Sequence, residues 1–301
     1  MKPTRNSTAL PAGKDVCCDV AAFGSVQFTL DMFPALRQRP GPGVGHSLPN
    51  NFLKHADELT VASLAAVLEA VERFGMGSEG VFTNWGVVAA PAFLGRATLV
   101  NALQRYADEG AWGISPHFIP HRSQHAVAGT ISQALKIHGP NFGTGGGPSG
   151  AAEGLLAGAV LLEGSGLPGV WVALAQWEPE FIPDLQGKAT GPCLCRAVAL
   201  ALVSTDSHTR GMRLRAAPAR RPETNGHGNG AGSRGKPSLE TLQKALADAN
   251  SASAKLVWSF NATMAIEMEI NVAPVQEPAI AQPVGRLWRF GQARAGTEKK
   301  R

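Results

Sequence analysis

The sequence has little of what nucleic-acid binding requires. Among its 301 residues there is one tyrosine, and aromatic residues make up 6% of the chain. A surface for single strands needs aromatic side chains interleaved with basic ones, so this scarcity argues against specific nucleic-acid binding. The formal net charge is +5, and much of the excess lies near the two ends and in residues 210–234. Charge placed in this way favours solubility over recognition.

Cysteine is also scarce, and no long apolar run is present. The four cysteines form two closely spaced pairs, Cys17 with Cys18 and Cys193 with Cys195. Neither spacing matches a zinc module and no secretory signal precedes them, so we expect buried thiols in a reducing cytoplasm. The apolar stretch 155–174 is interrupted by Glu163, several glycines and Pro168. We therefore expect no membrane span.

Glycine is abundant, and it is concentrated before one apolar segment. Residues 139–164 read GPNFGTGGGPSGAAEGLLAGAVLLEG. The Ala- and Leu-rich run that follows the glycine loop predicts a helix beginning near Ser149, because Ala and Leu are the strongest helix formers. Since this run is apolar nearly all round, the helix is expected to be buried between layers. A buried helix that begins at a bare glycine loop has the geometry of a nucleophile elbow or of an anion site.

Helical and strand-like segments alternate along the first two-thirds of the chain. Apolar residues at helical spacing predict a helix over 55–74, with Asp57, Glu58, Glu69 and Glu72 facing outward. Further helices are predicted over 97–107 and from about Ser123, and buried strands over 81–91 and 169–176. This alternation predicts a mainly parallel sheet with crossover helices. Residues 207–237 shift to Arg, Gly, Pro, Asn and His, which predicts a linker.

The order of these segments resembles the amino-terminal half of the β-ketoacyl synthases, the condensing enzymes of the thiolase-like fold. Gly139 and Pro140 match the pair that opens the family's nucleophile segment, and 151–164 matches the small-residue helix after it. IPHRSQHAVAGTISQALKIHGP is similar to the family's preceding helix, and WVALAQWEPE and CRAVALALV stand where two further strands are expected. The resemblance covers about residues 20–205. It implies an α/β, thiolase-like layered fold with a mainly parallel sheet, whose second half is incomplete here.

The sequence departs from the family at the nucleophile. Counting from Gly139 and Pro140, the position of the family's catalytic cysteine is occupied by Pro148. Proline has neither a nucleophilic atom nor a backbone N–H for an oxyanion hole. The family's later His-Gly-Thr motif is absent, and only 239–272 stand in place of a second half. Condensation by the family's mechanism is therefore not expected, and whether the chain is an enzyme stays open.

The glycine loop and the serine beside it are candidate sites with two interpretations each. Ser149 could replace the missing thiol, although a serine in this place usually caps the helix. The loop could bind a phosphate or pantetheine group through its backbone N–H groups, or it could be a tight turn in which side chains would clash. It matches neither a P-loop nor a dinucleotide fingerprint, so no cofactor is predicted. The loop residues are Gly143, Thr144, Gly145, Gly146, Gly147 and Ser149.

Histidines recur every fourth residue at His117, His121 and His125, with Pro120 between the first two. His121 and His125 could bind zinc from one helix face, but no third ligand is evident, and no metal is predicted. The family resemblance implies that this segment, with Phe118, borders an acyl pocket or a dimer interface. Packing is therefore the interpretation that we adopt for it.

These observations divide the chain into five parts. They are a disordered leader (1–16), a thiolase-like domain (17–206), a flexible linker (207–238), a remnant of the second half (239–272) and a basic tail (273–301). The resemblance implies an accessory subunit of fatty-acid or polyketide metabolism, similar to a chain-length factor. It would form a homodimer or a heterodimer, with an active condensing enzyme or an acyl carrier protein as partner. Two alternatives stay open: an acyltransferase or hydrolase that uses Ser149 or another residue, and a truncated relic without function.

Overall fold

The structure is a computed structural model that describes residues 15–38, 48–49, 51–75, 80–205, 211–218, 237–249, 251–259 and 264–271. No helix in these ranges is both long enough and apolar enough to cross a membrane. Most of the predicted leader, most of the predicted linker and the whole of the predicted tail lie outside the described residues. Asp15 and Val16 are the described residues of the predicted leader, and Val16 already belongs to the first strand.

Within the described residues, eight strands form one mixed sheet. They are β1 (Val16–Phe28), β2 (Gly86–Pro91), β3 (Asn141–Gly143), β4 (Val170–Glu178), β5 (Leu194–Ser204), β6 (Met212–Pro218), β7 (Ala254–Ser259) and β8 (Met264–Ile270). Their spatial order is β3-β2-β4-β5-β1-β6-β8-β7. β2 is parallel to β3 and to β4, and β5 is antiparallel to its neighbours β4 and β1. Four of the first five strands therefore run in one direction, while two of the seven strand pairs in the described sheet are parallel and five are antiparallel.

The last three strands extend this same sheet beyond β1 through antiparallel pairs. The prediction of a flexible linker over 207–238 is therefore wrong for 212–218, which form β6. In this strand Met212, Leu214 and Ala216 are buried while Arg213 is exposed, which is the two-residue period of a half-buried strand. The surrounding Arg, Gly and Pro residues concealed that short alternation in the sequence.

The outer face of this extension is covered by ion pairs. Arg213 pairs with Asp19, and Arg215 pairs with Asp15 and Glu267. Lys255 on β7 pairs with Glu267 as well, at 3.0 Å. An antiparallel sheet can present one polar face to water while its other face packs on the core. The charges on β6, β7 and β8 therefore let the sheet continue without a covering helix on that side.

Helices cover both faces of the sheet and define two parts of the core. α2 (Glu58–Phe74) and α5 (Gln124–Leu135) pack on one face, and α6 (Gly150–Ser165) and α7 (Leu239–Ala247) pack on the other. The shorter or more exposed helices are α1 (Phe33–Leu36), α3 (Arg96–Glu109) and α4 (Phe118–Arg122). The helices predicted over 55–74, over 97–107, from about Ser123 and from near Ser149 are thus α2, α3, α5 and α6.

α6 is buried on one side only. Leu155, Ala159 and Leu162 face the sheet and are buried, whereas Val160 on the opposite side is 38% exposed. The prediction of a helix buried between layers is therefore wrong for the outer face of α6. The apolar composition of the helix concealed this difference, because both sides carry aliphatic residues.

Candidate functional site

The glycine loop connects the end of β3 to the start of α6 and is bonded to β2 and its continuation. The Thr144 N–H donates to the Ala89 carbonyl at 2.8 Å, and the Phe93 N–H donates to the Gly146 carbonyl at 3.2 Å. The Gly150 N–H donates back to the Gly147 carbonyl at 3.0 Å, which closes the turn into the helix. The loop is therefore fixed to the carboxyl end of β2, next to the edge strand β3.

Gln124 at the start of α5 fills the inside of this loop. In its hydrogen-bonding orientation the Gln124 amide donates to the Thr144 carbonyl at 2.6 Å and accepts from the Gly146 N–H at 3.3 Å. A Cβ at Gly143 would lie 2.3 Å from the Gln124 carbonyl carbon, and Gly146 has a φ of 101°. These contacts explain the glycines as a tight turn. Binding of a phosphate or pantetheine group by the loop stays a prediction.

Pro148 and Ser149 line a cleft of about 210 Å³ at the start of α6. None of the described residues that line it has a titratable side chain; the others are Ala151, Ala152, Gln176, Pro237, Ser238 and Trp258. The Ser149 carbonyl accepts the Glu153 N–H at 3.0 Å, but the Ser149 side chain does not cap the helix. Acyl transfer through a serine needs a base within hydrogen-bond reach, and use of Ser149 as a nucleophile stays a prediction.

Three glycines allow α6 to pack closely on the sheet, a role that was not predicted from the sequence. Gly150, Gly154 and Gly158 lie four residues apart and all three are buried. A Cβ at Gly154 would lie 2.6 Å from Ala90 Cβ, and one at Gly158 would lie 2.3 Å from Val172 Cγ2. The helix can approach β2 and β4 this closely only without side chains along this line. The regular four-residue spacing was the signal that could have identified it.

A polar cluster that the sequence did not predict holds α7 against the cleft. The Glu178 carboxylate accepts the N–H groups of Leu239 and Glu240 at 2.9 and 3.0 Å, at the positive end of α7. Arg196 Nε lies 3.1 Å from Glu178 Oε2. Arg196 Nη1 also donates to the side chains of Gln27 and Gln243 at 2.6 and 2.8 Å. These contacts place Pro237 and Ser238 as one wall of the cleft.

His121 and His125 lie on different helices, α4 and α5, and the structure places His121 in a cluster with two other histidines. The rings of His55 and His117 stack with centroids 4.8 Å apart, and His121 lies 5.7 Å from His55. Desolvation lowers the pKa of His55 and of His121, and the neighbouring rings and Arg122 lower it further. His125 is exposed on α5. Over the part of the chain that is described, no three His, Cys, Asp or Glu side chains are placed to hold a metal ion.

Arg122 joins this cluster to two other elements. Its guanidinium lies over the ring of Phe118 at 5.5 Å, and its Nη1 donates to the His55 carbonyl at 2.9 Å. Its Nε donates to Thr98 Oγ1 on α3 at 3.0 Å and lies 3.8 Å from Asp57 Oδ2. Phe118 and His121 are therefore neighbours of one cation, which ties α4 to α3 and to the start of α2.

Two carboxyl groups at the start of α2 are buried, although the helical pattern of the sequence predicts that they face outward. Asp57 and Glu58 are 2% and 6% exposed. Asp57 Oδ1 accepts the Leu59 N–H at 3.0 Å, and Glu58 pairs with Arg37. Burial, reinforced by the charge of Glu58, raises the pKa of Asp57 to about 7. Glu69 and Glu72, farther along the helix, do lie at its more exposed side.

The sequence matches no family model and no curated protein. Solved structures are similar to it in fold. One is the ishigamide ketosynthase/chain length factor, with a TM-score of 0.53 and 14% identity, over 86% of this chain and 100% of that chain. Another is the ketosynthase ApeO in complex with its chain length factor ApeC from Xenorhabdus doucetiae, with a TM-score of 0.51 and 15% identity, over 84% and 98%.

At these identities the likeness concerns the fold alone. The sequence-based resemblance and the predicted fold class are thereby confirmed. The chain has the thiolase-like α/β fold of the ketosynthases.

Proposed function

We propose that this chain is a partner subunit of a condensing enzyme, in the manner of a chain length factor, and does not itself condense. The observation that carries the proposal is the start of α6. Pro148 occupies the nucleophile position that the family resemblance implies, and no described residue lining the cleft is titratable. Proline at that position supplies neither an attacking atom nor a backbone N–H for an oxyanion hole.

The extent of the match to chains of similar fold supports the same proposal. In the two similar structures, this chain matches 100% and 98% of one chain, and both structures contain a ketosynthase and a chain length factor. The core between the sheet and α7 argues against the alternative that the chain is a relic without function. β6, β8 and α7 bury Leu214, Met268 and Leu242 completely, and an ordered polar network fixes α7.

The partners that we propose are an active condensing enzyme and an acyl carrier protein, in fatty-acid or polyketide synthesis. The thiols of all four cysteines are free. Free thiols in a chain of this kind are typical of a reducing compartment, which supports a cytoplasmic site of action. The glycine loop, with Gly145 and Ser149, would then support an acyl group that the partner holds.

Acyl labelling of the purified complex tests this proposal. The tagged full-length chain is recovered from its source organism, incubated with an activated acyl thioester and analysed by mass spectrometry. We expect a condensing enzyme to co-purify and to carry the acyl group on its own cysteine, while this chain gains no mass. A Ser149→Ala variant should leave the labelling pattern unchanged, because the proposal places the acyl group on the partner's cysteine and not on this chain.

Two other outcomes would contradict the proposal in different ways. An acyl adduct on this chain that disappears in Ser149→Ala would establish the acyltransferase or hydrolase alternative. A chain that recovers no partner, binds a hydrophobic dye and has lost its near-ultraviolet dichroism would have the properties of a relic with loosened packing.

A further inference from the structure

The glycine loop is shaped around one side chain that belongs to a different element. Gln124, the first residue of α5, is half-buried inside the loop. A Cβ at Gly143 would lie 2.6 Å from Gln124 Cβ, and a Cβ at Gly146 would overlap Gln124 Nε2. A larger residue at either glycine would therefore displace Gln124. The two glycines leave room for this side chain, and the loop and α5 are fitted to each other.

Both polar atoms of the Gln124 amide form hydrogen bonds inside the loop. The nitrogen donates to the Thr144 carbonyl at 2.6 Å, and the oxygen accepts the Gly146 N–H at 3.3 Å. The loop thus presents an acceptor and a donor to one side chain. An amide carries a donor and an acceptor side by side, whereas an ionised carboxylate can only accept and an ammonium can only donate. A neutral amide is the matching group for this pair.

The other main-chain groups of the same two loop residues are bonded to the continuation of the sheet. The Thr144 N–H donates to the Ala89 carbonyl at 2.8 Å, and the Gly146 carbonyl accepts the Phe93 N–H at 3.2 Å. With Gln124 on the inside, both main-chain groups of Thr144 and both of Gly146 therefore have partners. Removing the amide would leave one carbonyl and one N–H unpaired in a partly shielded place, which is unfavourable.

We infer that Gln124 is a positioning residue, whose neutral amide holds the glycine loop in one shape and thereby fixes Pro148 and Ser149 at the cleft. These two residues follow the loop directly, and the Gly150 N–H closes the turn into α6. The inner side of the loop is filled by the protein's own side chain. An acyl group held by the partner would then meet the loop only from the side of the cleft, a consequence that rests on the proposed function.

Replacing Gln124 with glutamate tests the inference through pH. A protonated carboxyl group has a donor and an acceptor, as the amide has, whereas the ionised group cannot donate to the Thr144 carbonyl. The folded loop therefore favours the protonated form, and the pKa of the new carboxyl should lie above its ordinary value of about 4.3. Because the folded state binds this proton more tightly than the unfolded state, both hydrogen bonds are intact at low pH. They are lost as the pH rises through the raised pKa.

Charged and titratable groups on the surrounding elements shift the pH of this transition without changing its direction. Residues 143–150 carry none themselves. Positive charges near the new carboxyl lower its pKa, and negative charges raise it. Comparison with the wild type at each pH removes the contributions that both proteins share. The groups, on α3 to α6 and at the start of α2, are Asp57, Arg96, His121, Arg122, His125 and Glu153.

Hydrogen exchange of the loop measures its opening directly. In the purified full-length chain, exchange of a peptide that spans 141–150 is followed by mass spectrometry from pH 4 to pH 8, and each variant is compared with the wild type at the same pH. We expect Gln124→Glu to exchange near the wild-type rate at pH 4 and about tenfold faster or more at pH 8, because a carbonyl is left unpaired. Gln124→Met, which keeps the length of the side chain without its polar atoms, should exchange faster at every pH.

Gln133→Glu is the matched control, because Gln133 lies exposed on the same helix. Its loop should exchange as that of the wild type does at every pH. Three results would overturn the inference: wild-type exchange in Gln124→Met, an excess exchange in Gln124→Glu that does not change with pH, or a Gln124→Glu chain that is unfolded at pH 4. The chain is measured alone, so the recovery of a condensing enzyme remains an independent test of the proposed function.

Discussion

Replacing Gly158 with leucine is expected to destabilise the protein by about 3 kcal/mol or more, since an overpacked core costs at least this much when it cannot rearrange. Gly158 is buried where α6 meets the sheet, and a Cβ there would lie 2.3 Å from Val172 Cγ2 and 3.2 Å from Leu202 Cδ1. Both neighbours are completely buried in β4 and β5. α6 would have to rise from the sheet, and Pro148 and Ser149 would move with it.

Gly164 on the same helix is the matched control. It is exposed, and a Cβ there would meet nothing within 4 Å. Leucine in place of glycine at such a position should stabilise the helix by about 0.5–1 kcal/mol through its better helix propensity. Urea unfolding of the two variants measures both effects. Similar unfolding midpoints for Gly158→Leu and Gly164→Leu would show that α6 does not depend on close contact with β4.

Strands β2 and β4 and the helices α2, α3, α5 and α6 could be predicted because their signals are local. The apolar periodicity of α2 and the Ala- and Leu-rich run of α6 each lie within one stretch of sequence. Which side of α6 is covered could not be predicted in this way. Leu155 and Val160 are both aliphatic, and only the position of the sheet makes the first buried and the second exposed.

The extension of the sheet was missed because its pattern is short and its partners are distant. β6 has 7 residues within an Arg- and Pro-rich segment, and its charges are matched by residues far away in the sequence. Arg213 pairs with Asp19, and Arg215 pairs with Glu267. A sequence window that contains β6 alone shows only unpaired positive charge, which is the usual sign of a linker.

The glycine loop at the start of α6 could be predicted from the sequence, whereas the far wall of the cleft could not. Pro148 at the nucleophile position is what the family resemblance implies for the residues between Gly139 and Gly164, and it stays a prediction. The far wall of the cleft depends on Glu178 and Arg196, whose carboxylate and guanidinium meet at the start of α7. No local pattern connects residues on two strands with a helix that follows much later in the chain.

Replacing Asp57 with asparagine is expected to abolish a loss of stability that the wild-type protein undergoes between about pH 4 and pH 7. Burial, followed by the charge of Glu58, raises the pKa of Asp57 from 3.8 to about 7. The Leu59 N–H, Arg122 on α4 and Arg37 next to α1 act in the opposite direction and are weaker. The Cys195 thiol on β5, whose own pKa is raised by burial and by Asp57 and Glu58, also faces this group.

The sign of the effect follows from proton linkage. Because the folded protein holds the Asp57 proton more tightly than the unfolded chain, this group contributes its full stability below about pH 4. That contribution is lost as the pH rises through 7. One pKa unit corresponds to about 1.4 kcal/mol, so a shift of this size makes the wild type less stable at pH 8 than at pH 4 by at most about 4 kcal/mol.

Asparagine is the informative replacement because it keeps the cap and removes the charge. Asparagine and aspartate are about equally favourable at the N-cap position of a helix. The amide oxygen of the Asp57→Asn variant can therefore accept the Leu59 N–H as the native carboxylate does. Unfolding free energies from pH 4 to pH 8 should therefore coincide for the two proteins near pH 4, diverge in favour of Asp57→Asn as the pH rises to about 7, and keep that difference above it. Asp57→Ala should be less stable than Asp57→Asn by about 1 kcal/mol at every pH, because it loses the cap. A variant curve that runs parallel to the wild-type curve over the whole range would mean that Asp57 stays ionised in the folded protein and that Arg122 and the helix terminus outweigh its burial.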